Sequence, residues 1–171
     1  MQGVIPRNLI YINSDKTNPV LIFRTKEQKV KLHFNKSLKI KSQEYVVPKL
    51  LWVFNAGVIS VFATRSLSPA AKIYNAPFFN VYSDGKVCMG NVNMQKQFSD
   101  IKDAMKKIQD YFFNSQFNDH VETEGQYATD LKTFWKTQED ATSQSKWDFY
   151  LYLTPNKQFK TTQDVINQFI E

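Results

Sequence analysis

Cysteine occurs once in the 171 residues, at Cys88, and histidine twice, at His33 and His120. A single thiol excludes an internal disulfide, and without a CxxC pair there is no frame for a zinc site, so no metal is expected. Glycine is scarce, at five residues, and no Pro/Gly/Ser-rich linker or internal repeat divides the chain. One domain, residues 1–171, is the expected organisation, large enough to bury a real core. Long apolar runs are missing too. The longest, Leu50 to Ala63, is too short to cross a bilayer and is interrupted by Asn55 and Gly57. Pro6, Arg7 and Asn8 break Met1 to Ile12 where an export signal needs an unbroken apolar stretch, so a cytoplasmic protein with no membrane partner is expected.

What is present is a packed composition, 42% hydrophobic and 15% aromatic, with a net charge of +6. The charge is uneven. Residues 1–50 hold ten of the 22 Lys/Arg against Asp15, Glu27 and Glu44, whereas the remainder is nearly balanced. Such an excess can meet nucleic acid, an anionic surface or an acidic partner. Lys26, Lys29, Lys31, Lys36, Lys39 and Lys41 interleave with Val30, Leu32, Leu38 and Ile40. An amphipathic strand pair with a lysine-lined outer face accounts for this series, and nucleic acid is not an expected partner.

Short β-branched and aromatic runs at Leu9 to Asn13, Val20 to Arg24 and Val30 to Phe34 read as meander strands. Leu50 to Phe54 and Val58 to Thr64 flank Asn55-Ala56-Gly57, which supplies the positive φ of a tight hairpin. After Gly90 the period changes: Phe98, Ile101, Met105, Ile108 and Phe112 share one helical face, with Ser99 as expected cap and Asp103/Lys107 paired outside. Leu131, Phe134 and Trp135 mark a second helix. Thr161 with Asp164 opens a third, carrying Val165, Ile166 and Phe169, and Asp148 to Leu153 reads as one more strand. Strands first and helices later make an α+β fold, an antiparallel meander packed against C-terminal helices.

The segment Pro77 to Asn91 carries the chemistry. Asp84-Gly85 turns the chain between two extended runs. A two-residue loop would put Asn80 and Cys88 on opposite faces; a three-residue Ser83-Asp84-Gly85 loop, with Gly85 left-handed, pairs Tyr82 with Lys86 and sets Asn80 opposite Cys88. The second register is expected, with the two Cβ atoms ~5 Å apart. A thiol of ordinary pKa ~8.5 is a usable nucleophile, and a neighbouring amide can donate to an oxyanion, which suits acyl transfer through a thioester. A lone Cys after Val87 also suits a small core position. Phe78 and Phe79 read as packing residues, Tyr74 and Pro77 as residues shaping the pocket, and Gly90-Asn91 as a turn that gives room beside the thiol.

Asn80 to Met89 resembles the active-site segment of ubiquitin-conjugating enzymes: the Asn, the Gly, the aliphatic-Cys pair and their spacing match, while Phe78 and Phe79 stand where that family has His and Pro. A resemblance from Leu50 to about Thr162 is closer. Val58-Ile59-Ser60-Val61-Phe62-Ala63, Tyr74 to Val81, Gly85 to Asn91 and Phe113 to His120 are similar to the bacterial ubiquitin-conjugating-like proteins called PRTRC system protein B, prokaryotic family D. The resemblance implies a ubiquitin-conjugating fold and a transferase of a ubiquitin-like modifier. It also implies a plasmid or mobile-element setting, with a ThiF-type activating protein and a JAB-type protease beside it, and it requires no cofactor. It implies Cys88 as the thioester carrier, Asn80 as the oxyanion or loop-holding residue, and His120, downstream of the Cys, in place of the missing upstream His. For His120 the alternative is a surface position after a helix end. For the whole chain the alternative is a non-catalytic fold member that binds the modifier or a plasmid-maintenance partner.

Overall fold

The structure is a computed structural model and describes residues 5–13, 15, 18–90, 94, 98–121, 130–139 and 152–170. Its centre is an antiparallel sheet of β1 (Leu9–Asn13), β2 (Val20–Thr25), β6 (Leu50–Asn55), β7 (Val58–Thr64) and β8 (Ile73–Asn75), in that spatial order. Alternation along these strands divides the side chains between two faces. Leu21, Phe23, Trp52, Phe54, Ile59 and Val61 join one core cluster; Val20, Ile22, Leu51, Val53, Phe62 and Ile73 join the other. The β6–β7 hairpin closes through Ala56 (φ 50°) and Gly57 (φ 96°), between the paired Asn55 and Val58. Two successive positive φ values are what a type I′ turn requires.

The expected third strand does not continue the meander. Val30 to Phe34 divides into β3 (Gln28–Lys31), which pairs antiparallel with β5 (Glu44–Val47), and β4 (His33–Phe34), which pairs parallel with β9 (Gln116–Phe117). The seat beside β2 belongs to β6 instead. Leu32, fully buried between the two pieces, still donates its N–H to the Gln43 carbonyl at 2.9 Å, and beyond it the chain changes partner, with the Asn35 N–H donating to the Phe117 carbonyl at 2.8 Å. Lys29 and Lys31 project outward, and Leu32, Leu38 and Ile40 inward, so the lysine series does line a solvated face.

Helix α1 (Ile101–Phe113) lays Ala104, Met105, Ile108, Phe112 and Phe113 on the first face, where Phe112 and Phe113 meet the edge of the Trp52 ring at 5.3 and 5.6 Å. Its cap is Asp100 and not Ser99. The Asp100 carboxylate accepts from the Asp103 N–H at 2.8 Å, and the Ser99 N–H donates back to Asp103 at 3.0 Å. A charged acceptor at the cap also opposes the positive end of the helix dipole, an advantage a hydroxyl lacks. The Asp103–Lys107 pair forms at 2.9 Å. Helix α2 (Leu131–Glu139) buries Leu131, Phe134 and Trp135 in the same cluster, and Asp130 accepts from the Thr133 N–H at 2.9 Å. Helix α3 (Thr162–Ile170) covers the second face with Val165 and Ile166. It starts in a reciprocal box: Thr161 N–H to Asp164 at 2.8 Å, and Asp164 N–H to the Thr161 hydroxyl at 3.2 Å. Of the strand expected at Asp148 to Leu153, residues 148–151 lie outside the described residues.

Candidate active site

Residues 77–88 form a short hairpin laid along β7. The Gly85 N–H donates to the Tyr82 carbonyl at 2.9 Å, the Tyr82 N–H to Lys86 at 2.9 Å, and the Cys88 N–H to Asn80 at 2.7 Å, with Val81 bridged to Val87. The loop is therefore Ser83-Asp84-Gly85, and Asn80 is the backbone partner of Cys88. Asp84 Oδ1 accepts from the Lys86 N–H at 3.0 Å and reinforces the turn. Only glycine fits at Gly85. Its φ is +86°, and a Cβ there would stand 2.3 Å from the Phe62 ring. The returning arm then joins the main sheet: Val61 N–H donates to Gly85 at 2.8 Å, and Val87 N–H to Ile59 at 2.9 Å. Cys88 follows this anchored stretch and is partly exposed.

The hairpin is held from behind by aromatic packing. Phe78 and Phe79 are buried as expected, with Phe78 stacked 5.7 Å from Phe117 and edge-on to Phe112 at 5.0 Å. Trp135 Nε1–H donates to the Pro77 carbonyl at 2.7 Å, tying α2 to the start of the segment. Tyr74 is buried beneath the Arg65 guanidinium, 5.5 Å from its ring centroid.

Two asparagines flank the hairpin in opposite states. Asn156, 6% exposed, uses its whole amide: Nδ2 donates to Asn75 Oδ1 at 2.8 Å and to the Ser83 carbonyl at 2.9 Å, while Oδ1 accepts from the Gln158 and Phe159 N–H groups at 2.9 Å each. Asn80, 7% exposed, has one long bond, Nδ2 to Ser115 Oγ at 3.4 Å. The Ser115 hydroxyl already donates to the Phe112 carbonyl at 2.6 Å, which fixes the direction of the Asn80 bond and leaves Asn80 Oδ1 buried without a partner. Its second amide hydrogen has no acceptor among the described residues. Buried polar groups are seldom left so.

Tyr82, which the sequence reading passed over, stands beside the thiol. In this register it is the diagonal neighbour of Cys88, a distance that a long side chain spans. A hydrogen bond to Cys88, then the charge of that sulfur, raises the pKa of the exposed Tyr82 phenol. The predicted pairing already contained this neighbour: once Tyr82 opposes Lys86, it lies two positions from Cys88. Gly90 takes a left-handed φ of 56° with open space around it, leaving room just past the thiol. Asn91 lies outside the described residues.

The structure joins the backbones of Asn80 and Cys88; among the described residues no hydrogen bond runs from the Asn80 amide to the sulfur. His120 is exposed beyond β9, its N–H donating to Asn118 Oδ1 at 3.1 Å, and no bond or ion pair among the described residues joins its ring to Cys88. His33 sits in β4 opposite Gln116, away from this hairpin's hydrogen-bond network. No group of three potential metal-ligating side chains occurs among the described residues, and no described helix is long and apolar enough to cross a membrane. A family model described as prokaryotic E2 family D matches residues 1–152. No curated protein and no solved structure matches the chain.

Proposed function

The chain belongs to prokaryotic E2 family D, and from that premise we propose that it conjugates a ubiquitin-like modifier, carrying it as a thioester on Cys88. The observation that supports this most is the pairing of the sole, partly exposed thiol with a buried Asn80 whose amide is largely unspent. In the first step the Cys88 thiolate attacks the thioester carbonyl of the activated modifier. The new S–C bond forms as the activating enzyme's thiolate leaves. In the second, an amine attacks the Cys88 thioester, the C–S bond breaks, and the amine's proton is lost. Negative charge gathers on the carbonyl oxygen in both tetrahedral intermediates, and the free N–H of Asn80 is its stabiliser; removing one such donor costs ~10²-fold or more in rate. His120 takes the amine's proton.

In its finer form this reading makes the protein the PRTRC system protein B of a plasmid or mobile element. It would work in the cytoplasm with a ThiF-type activating protein and a JAB-type protease. Incubation with the neighbouring activating protein, modifier and ATP should give a thiol-sensitive adduct on a non-reducing gel, absent in Cys88→Ala. His120→Ala should charge normally and discharge slowly to added lysine. No adduct under any condition removes the enzyme reading.

A second reading has one specific observation in its favour. Phe78 and Phe79, in the places of His and Pro, are committed to the aromatic core. A non-catalytic member that binds the modifier would keep its biological phenotype in Cys88→Ala and lose it through surface changes.

A further inference from the structure

At the sheet edge opposite the Cys88 hairpin, a cavity of about 690 Å³ lies against β1 and the end of β2, lined by Arg7, Asn8, Leu9, Ile10, Arg24, Lys26 and Leu67. Three of these side chains are cationic and none is acidic. Arg24 is half-buried, and its Nε is sealed from solvent without a hydrogen-bond partner. Among the described residues, no carboxylate pairs with Arg7, Arg24 or Lys26. Burial lowers the Arg24 pKa, since desolvation disfavours the charged form. The neighbouring wall is nonetheless fixed. Asn8 Nδ2 donates to the Arg24 carbonyl at 2.8 Å and the Arg24 N–H donates to the Asn8 carbonyl at 2.9 Å, so the residue next to Arg7 is clasped to the β2 backbone at the cavity rim.

A partly desolvated guanidinium with unspent donors is costly unless an anion completes it. We propose that this cavity is a phosphate-binding site, with Arg24 as its fork, Arg7 and Lys26 as flanking charges, and Leu9, Ile10 and Leu67 as an apolar wall. Phosphate is favoured over carboxylate because three uncompensated cations match a dianion better than a monoanion, and a guanidinium binds its oxygens in bidentate fashion. The group can arrive as free phosphate or as a monoester whose organic body rests on the apolar wall, for which the volume is sufficient. This site stands apart from the thioester reading and survives its failure.

Titration calorimetry with inorganic phosphate and with adenosine monophosphate, each at ionic strength matched with sodium chloride, tests it on the full chain. Saturable binding is expected, weakened at least tenfold by Arg24→Gln and measurably by Lys26→Gln and Arg7→Gln, with Lys86→Gln, in the hairpin at the opposite sheet edge, unchanged as a control. Tighter binding of the nucleotide than of phosphate identifies a monoester site, and equal binding a free-phosphate site. Heats no different from the chloride control, or binding untouched by all three substitutions, overturn the proposal. Because Arg7 and Lys26 are exposed, their variants carry the test if Arg24→Gln does not fold.

Discussion

The two sides of the Cys88 hairpin are built on opposite rules. On the Asn156 side, four hydrogen bonds satisfy one buried amide and bind the Ser83 loop to β8 and to the turn before α3. On the Asn80 side, an equally buried amide holds one 3.4 Å bond and an orphaned oxygen. A saturated amide serves geometry, because every group it loses becomes a buried cost. An unsaturated one is a standing expense that a fold tolerates where the group has other work. The hairpin thus has a rigid flank and a flank kept open beside its thiol.

Removing the saturated amide should cost most. Asn156→Ala strands the Ser83 carbonyl and the N–H groups of Gln158 and Phe159, and a loss of about 4 kcal/mol or more is expected from ~1–3 kcal/mol per stranded group, with some regained from water. The urea midpoint measures it, and a shift worth under about 1 kcal/mol would dissolve the contrast. Gly85→Ala comes next. A methyl 2.3 Å from the Phe62 ring, at a φ of +86°, should cost about 3 kcal/mol through overpacking and strain. Since the same residue aligns the arm that ends in Cys88, modification of the thiol by a maleimide should change rate as well. Asn80→Ala is the informative third case. The long bond to Ser115 is weak, and the substitution also removes the orphaned oxygen, so stability should stay within about 1 kcal/mol of the parent while adduct discharge slows ~10²-fold. Comparable losses of stability in Asn80→Ala and Asn156→Ala would make the two flanks alike.

Much of this hairpin was legible in the sequence because its rules are local. Asp84-Gly85 gives the turn, and the parity of the residues on either side leaves only two registers, of which the three-residue loop is found. The same holds for α1, whose apolar period of three and four reappears as its buried face, and for the Thr161/Asp164 box. What escaped is set across long chain separations. Ser115 is 35 residues from Asn80, and Asn156 is 73 from Ser83; no spacing announces such bonds. β4 pairs with β9 from more than 80 residues away, and that partnership draws His33 and Phe34 out of the expected strand. The Ser99 expectation failed for a smaller reason: two adjacent residues can each cap a helix, and the carboxylate won.

The smallest expected effect is on acid stability, where the flanks share a device. Asp164 opens α3 just after the Asn156 turn, and Asp103 lies in the first turn of α1, the helix that ends at Phe113, two residues before Ser115. The Asp164 carboxyl is held below the usual carboxylate value first by the Thr161 N–H, and Asp103 first by its bond to Lys107 and then by the Ser99 N–H. Asp164 is exposed and Asp103 only half-buried, so each contributes modestly. Because the folded pKa values lie below the unfolded value of ~3.9, the unfolded chain binds more protons between them, and stability there rises with pH. Each contribution is complete above ~3.9 and is lost as pH falls through the lower folded value. Urea midpoints taken from pH 5 down to pH 2 should fall for the parent and fall less for Asp164→Asn and Asp103→Asn, each variant starting lower at pH 5. If one variant flattens the curve and the other leaves it unchanged, acid opening begins on the flank of the first; if neither alters the slope, these caps have no part in it.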